Sequence, residues 1–349
     1  MALLPEIVRR VVRAKLSGGI SMPARGQKQL PSISIYFSDP LADLISTGAQ
    51  DSERPIQRLS RTVFACGGTA VVVRYAHKRD LAVLNARRFS RVYLLIDDDL
   101  ENLEQSDGLP QDYRRKLIVY RDGPFRRLMD LVTDVVAPSE NILSAYSPKR
   151  AIHLDPAQCH QTAALVHHHN VRPFDIVFAA TRSHLHDLSH VAPALAEVLR
   201  RRPDARLTTF LNGHAPRSLR NLPNAIHLPM MEWSRYRAYV AENRFHVAIA
   251  PALDTPFNRA RSISKLHDHA AFGAAGVYSH QQPFDRIVAH NQSGLLISNQ
   301  PEEWRDSLLD LAERREKTLK LASGGQILSQ TLGDIRRVRN FWIRELGLA

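Results

Sequence analysis

The sequence predicts an α/β protein made of two doubly wound, parallel-sheet domains that face each other across a cleft. Three observations carry this. Short, continuous β-branched runs recur along the chain, as strands buried on both faces require. Segments with helical spacing alternate with them, the pattern of parallel strands joined by crossover helices. The alternation stops at a polar, His-rich stretch and then restarts, and 349 residues exceed what one hydrophobic core usually supports.

In chain order, the first 30 residues carry six basic residues and one acid, Glu6, a local excess of +5 (six minus one). Leu3, Leu4, Ile7, Val8, Val11 and Val12 share one helical face, with Arg9, Arg10 and Arg13 off it. Such a helix either lies on an anionic membrane or packs on its own domain. Strands are predicted at 32–37, 69–75, 91–96, 133–137 and 151–154, with a helical stretch at 111–132. These belong to a first Rossmann-like domain, residues 1–160. The His-rich segment 155–173 reads as a linker. A second Rossmann-like domain, 172–325, has predicted strands at 174–180, 207–211, 225–228, 246–250, 276–279 and 294–297. Its predicted helices are 189–202, 232–243, 264–272 and 301–322. Glu302 and Glu303 stand in the first turn of the last, where the helix dipole favours acids. A final helix is predicted at 331–346.

Composition removes several classes. Hydrophobic residues make up 44% and charged residues 23%, which is ordinary globular usage. Two cysteines, Cys66 and Cys159, are too few for a disulfide scaffold or a Cys-rich zinc site. Without an activating partner arrangement they read as inert thiols. No apolar run reaches 18 residues, and charges interrupt the N-terminal apolar stretch where a signal peptide would need its core. A reducing cytoplasm fits these features. The net charge of +12 calls for an anionic partner: nucleic acid, a lipid surface or a phosphorylated small molecule. No helix-turn-helix, RRM, KH or zinc-finger pattern supports nucleic acid. No G-x-G-x-x-G, Walker A, H-E-x-x-H or G-x-S-x-G is present, which disfavours a dehydrogenase, P-loop NTPase, zinc protease or α/β-hydrolase. His167, His168 and His169 look like metal ligands, but three adjacent histidines cannot all face one ion on a regular element. They read as part of a solvated linker, and no metal site is expected.

The most informative stretch is 248–279. A predicted strand ends in a loop carrying Asn258, Arg261 and Ser262, and a helix begins with Lys265 and Asp268. Open α/β sheets bind ligands outside the carboxyl ends of their strands. Helix N-termini and basic side chains hold phosphates, and an acid one turn in can hold a ribose diol. The arrangement suits a nucleoside diphosphate; the alternative is ordinary capping with surface charges.

Here the sequence resembles the GT-B glycosyltransferases of the family-4-like, group 1 type. Their pattern D-x-x-x-N-x-x-K-S-x-x-K-x-x-E-x-x-x-x-G is filled by Asp254, Asn258, Arg261, Ser262, Lys265, Asp268 and Gly273. Arg261 and Asp268 replace Lys and Glu with charge kept. Upstream, Ala180-Thr-Arg-Ser-His-Leu-His-Asp-Leu188 resembles G-S-x-S-H-x-x-D-L. Downstream, the resemblance continues through Asn291-Gln-Ser-Gly-Leu-Leu-Ile297 and Glu302-Glu-Trp304. The good match covers 172–325. In the first domain it rests on Asp97-Asp-Asp-Leu100 and Asp134-Val-Val-Ala-Pro-Ser139.

The resemblance implies a nucleotide-sugar donor bound by the second domain and a glycan or lipid-linked acceptor bound by the first. It implies retention of anomeric configuration, no obligatory metal or other cofactor, and a role in bacterial polysaccharide biosynthesis, with possible contact at the inner membrane face. It also implies that 326–349 return to the first domain. The departing diphosphate needs its charge neutralised. Arg182, Ser183 and His184 on the first turn of the second domain would clamp it with Lys265 and Arg261, Asp268 would hold the ribose, and Asn258 or Ser262 the sugar hydroxyls. One departure stands out. Many members pair two acids as E-x7-E; with Asp268 as the second, the first falls on Ala260. Either donor binding is altered, or the domain is a degenerate binding or scaffold protein. Asp97, Asp98 and Asp99 end the third predicted strand. Asp98 and Asp99 are candidates, with Lys265, for the chemistry: orienting acceptor hydroxyls, acting as a base or binding a metal. Alternatively one caps the next helix and the others face water. His77, after the second predicted strand, is a weaker cleft candidate or a plain loop residue.

Overall fold

A computed structural model describes residues 30–46, 53–105, 108–170 and 173–348. The basic helix expected within the first 20 residues lies outside the described residues. The first half is a seven-stranded sheet in chain order: β1 (Ile45–Ser46), β2 (Ile56–Arg58), β3 (Val63–Cys66), β4 (Thr69–Val73), β5 (Arg91–Leu95), β6 (Asp134–Ala137) and β7 (Arg150–His153). Strands β4 to β7 are parallel, as their continuous apolar runs predict. The sheet is mixed, however, because β3 pairs antiparallel with both β2 and β4. Only Gly67 and Gly68 separate β3 from β4, and Gly67 has φ of +52°. A two-residue turn returns the chain alongside itself, whereas a parallel partner needs a long crossover.

The strand predicted at 32–37 is instead helical, Pro31–Ile33 continuing into Ser34–Ser38. Pro31 occupies the first helical turn, where its missing N–H costs nothing. Ile33, Tyr36 and Phe37, at i, i+3 and i+4, are all buried. That is helical spacing, hidden within what reads as a short apolar run.

The second half holds β8 (Phe174–Phe178), β9 (Ala205–Thr209), β10 (Ala225–His227), β11 (Val247–Ala250), β12 (Ala275–Ser279) and β13 (Leu295–Ile297). All pairings are parallel, in the order β10-β9-β8-β11-β12-β13. The order reverses between β8 and β11, which opens a crevice at their carboxyl ends. The single helix expected at 301–322 is two, Pro301–Glu313 and Arg315–Leu332. The break at Arg314 redirects the second helix against the 292–293 backbone. Contact there is so close that a Cβ on Gly324 would lie 2.0 Å from the Gln292 carbonyl oxygen.

The last helix, Ile335–Glu345, packs on the first sheet. Its Val338, Phe341 and Trp342 join Tyr36, Phe37, Phe64 and Tyr93 in one core, and Trp342 Nε1 donates to the Tyr36 carbonyl at 2.6 Å. In the connecting segment His167 and His168 are packed rather than solvated, a correction to their reading, while His169 is exposed. His168 is 3% exposed. His167 and His168 hydrogen bond through Nε2 to the carbonyls of Phe245 and Gly273, each at 2.8 Å, and both rings lie within 5.4 Å of His246. Desolvation lowers the pKa of His168 to about 4 and of His246 to about 3.

Candidate functional site

Between the two sheets lies a cleft of roughly 680 Å³, walled by the carboxyl ends of β4 and β5 on one side and of β8 and β11 on the other. Two helical N-termini open onto it. One is the turn Arg182–His184 leading into the helix Leu185–Arg201; the other is the helix Ser264–Ala271. Unsatisfied N–H groups and the dipole make such ends attractive to anions.

On the first-half wall, Arg74 has φ of +69°, a costly conformation for a side-chain-bearing residue that folds retain mainly at functional sites. Its amide donates to the Leu95 carbonyl at 2.7 Å. Its guanidinium pairs with Asp98 and lies 3.5 Å from an Asp97 oxygen. Tyr75 Oη also donates to Asp98, at 3.3 Å. Burial opposes the Asp98 charge, but Arg74 and Arg261 hold its carboxyl below the usual carboxylate range. Asp97, which accepts from Ser32 Oγ at 2.5 Å, is pushed the other way by burial. Nothing in the sequence pattern singled out Arg74; its signal was one cation closing an apolar strand.

Asp99 does not reach the cleft. Its carboxylate accepts from the Glu101 and Asn102 amides at 3.1 Å and from the Asn102 side chain at 2.7 Å. It is a cap for the next turn, its oxygens spent on the 101–102 segment. His77 likewise serves the chain: its amide donates to Asp80 at 2.8 Å at the start of the helix Lys78–Arg87.

On the second-half wall, Arg261 is the central group. Its guanidinium stacks on Phe257 at 4.5 Å. Its Nε and Nη2 are buried with no hydrogen-bond partner among the described residues. Desolvation lowers its pKa, with Asp98 and Asp187 opposing. Lys265 donates to the Ala179 carbonyl and to Asp268, the latter at 3.1 Å. Burial works against the Asp268 charge, but Lys265 and His160 hold its carboxyl below the ordinary range. Ser262 and Ser264 hydrogen bond to each other at 3.1 Å beside them. His184 lies 3.3 Å from Asp187, and burial pulls its pKa down to about 4. Ser183 faces the cleft next to it, hydrogen bonded to Thr181 at 3.1 Å. Arg182 stands at the exposed rim, 3.3 Å from Asp112 of the opposite wall.

Asn258 has a structural role as well as a place at the cleft. Although it borders the cleft, its amide is committed to Asp187 at 2.8 Å and the Leu253 carbonyl at 2.9 Å. Asp187 must be satisfied because it is 5% exposed, so the Asn258 NH2 group fixes the loop, and its Oδ1 is the atom through which it would meet a hydroxyl. Ala260 is 1% exposed and packs, with Phe257, into the core of the first half. A glutamate there would be a buried charge, which explains how the departure from E-x7-E is accommodated. The structure thus gathers Asp98, Arg182, Ser183, His184, Arg261, Ser262 and Lys265 around one cleft, with Asp268 behind Lys265.

No family model matches the chain, and no curated protein matches it in sequence. Solved structures do. TarM aligns with TM-score 0.53 and 9% identity over 74% of this chain and 51% of its own, so this chain spans about half of it. HepE from Anabaena, solved with UDP-glucose, aligns with TM-score 0.54 and 12% identity over 80% of this chain and 79% of its own. An α,α-trehalose-phosphate synthase (UDP-forming) from Burkholderia vietnamiensis aligns with TM-score 0.51 and 9% identity over 79% of this chain and 71% of its own. The shared feature is the GT-B fold.

Proposed function

We propose that this GT-B chain transfers a glycosyl unit from a nucleotide-sugar donor to a glycan or lipid-linked acceptor in polysaccharide biosynthesis. One observation carries the reading: the Arg261 guanidinium is buried at the cleft with two nitrogens unpartnered among the described residues. Leaving buried charged donors unsatisfied is costly, and a donor diphosphate relieves it. HepE, which shares this fold, was solved with UDP-glucose, which supports a nucleotide sugar as the class of ligand.

In this reading Arg261, Lys265 and the two helical N-termini hold the diphosphate, and Asp268 holds the ribose. The bond from the anomeric carbon to the diphosphate oxygen breaks as the acceptor oxygen bonds to that carbon. Charge building on the diphosphate meets cations already in place, so no metal is required. Asp98 lies opposite Arg261 and orients the acceptor hydroxyl. A carboxylate held at low pKa is a weak base. The hydroxyl proton therefore passes to the departing diphosphate, which accords with retention.

Thermal shift with UDP-, GDP-, ADP- and TDP-sugars tests this, because a ligand of the native state raises Tm. One nucleotide class should stabilise the protein, hydrolyse slowly and keep its effect in EDTA. Arg261→Ala should abolish the shift. Ala260 favours a second reading, a binding protein that has lost catalysis: it predicts the shift without hydrolysis or transfer. No shift with any donor would defeat both.

A further inference from the structure

Behind Lys265 the cleft continues into a second chamber of roughly 440 Å³. Trp233, Tyr236 and Asp268 line it from the second half, and Ile35 and Arg61 from the first. Between them His160 enters from the segment that connects the two sheets. This segment is pinned. The Ala157 amide donates to the Ile35 carbonyl and the Gln158 amide to the Gly333 carbonyl, both at 2.8 Å. Arg237, itself paired with Asp39 at 2.7 Å, donates to the Cys159 carbonyl at 3.1 Å. The imidazole is therefore held in place, edge-on to Trp233 at 5.8 Å.

The His160 side chain is only 7% exposed. Its Nε2 has no hydrogen-bond partner among the described residues, and neither does Trp233 Nε1 beside it. Nε2 sits 3.7 Å from a carboxylate oxygen of Asp268. That is too far for a hydrogen bond but spaced for adjacent hydroxyls to satisfy both groups. A carboxylate only accepts, a neutral imidazole N–H donates, and a vicinal diol offers hydroxyls that do both.

We propose that His160 is a ligand-binding residue for the ribose diol of a nucleoside diphosphate, shared with Asp268, so that the inter-sheet connection itself contacts the donor. This rests on the donor reading above. The sequence offered no hint, because His160 lies outside every motif and reaches the chamber only through the fold.

Titration calorimetry tests it with UDP, ADP and GDP, their 2′,3′-dideoxy forms and inorganic pyrophosphate. His160→Ala should weaken the ribonucleotide about tenfold, the cost of one lost hydrogen bond to a buried group. It should leave pyrophosphate affinity unchanged, and His160→Gln, which keeps a side-chain N–H, should restore part of the loss. With the dideoxy nucleotide, wild type and His160→Ala should bind alike. If His160→Ala weakens pyrophosphate or the dideoxy form equally, or leaves the ribonucleotide unaffected, the diol assignment is wrong while the donor reading stands. If no nucleoside diphosphate binds the wild type, both fall.

Discussion

At the residue scale, charge placement separates neighbours that look alike in sequence. Asp97, Asp98 and Asp99 are three consecutive carboxylates, yet one bonds Ser32, one pairs with Arg74 on its own wall and feels Arg261 from the other, and one caps a turn. All three lie beyond the end of β5, where the chain bends, and the local partners sort them: Asp97 and Asp98 both border the cleft beside Arg74, and Asp99 turns back onto its own chain. Asp98→Asn keeps the shape and removes the charge. Transfer should fall roughly a hundredfold, within the range of acid–base and orienting groups, with nucleotide affinity in calorimetry unchanged. Unaltered kcat/KM would remove Asp98 from the chemistry. Lys265 and Asp268 were legible because helix spacing brings i and i+3 together. Arg74 and His160 were not, because their partners come from distant chain segments.

At the element scale, the final helix shows how one side chain can hold a long return. Trp342 is fully buried among Phe37, Tyr93 and Phe341, and its indole N–H is satisfied by Tyr36. Trp342→Ala should cost about 3–5 kcal/mol, the range for large-to-small core changes at aromatics, read as a drop in the urea midpoint. A loss below ~1 kcal/mol would mean that the helix does not depend on this anchor. The sequence read most strands and helices correctly, since continuous β-branched runs and helical spacing are local signals. It misread 32–37, where six residues, four of them apolar or aromatic, fit either period and tertiary burial chose the helix. It also missed the β3–β4 hairpin, where a Gly-Gly turn set the pairing direction.

At the scale of the whole molecule, buried neutral histidines tie stability to pH. His168, His184 and His267 are drawn down to about 4, and His246 and His269 to about 3, each chiefly by burial. Below the ordinary histidine value of ~6.5 the unfolded chain takes up protons that the native state refuses. Stability is therefore full above that value and falls as pH drops toward 4. One unit below the ordinary value, each such histidine costs roughly 1.4 kcal/mol. Urea denaturation followed by circular dichroism should show the midpoint sliding down between pH 7 and pH 5; a flat profile would refute the burial argument. The net charge of +12 is now divided. Arg261 and Lys265 serve the cleft, Arg74 is consumed by Asp97 and Asp98, and Arg182 bridges to Asp112. The local +5 of the first 30 residues is left unassigned, and an anionic membrane surface is the partner to test for it. No described helix is long and apolar enough to cross a membrane. Co-sedimentation with anionic liposomes should decline when residues 1–20 are removed; equal pelleting would assign the charge elsewhere.

By itself the sequence determined two α/β halves and a strand–loop–helix that carries Arg261, Ser262, Lys265 and Asp268. These depend on local periodicity and short spacing, which the chain states directly. Only the tertiary structure decided which of three carboxylates is turned from the cleft, that the Asn258 NH2 group is spent on Asp187 and that Ala260 is sealed in the opposite core. It alone brought His160 from the connection to Asp268 and seated Trp342 on the first sheet. Those outcomes depend on which desolvated group finds a partner, and the partners lie tens to hundreds of residues away.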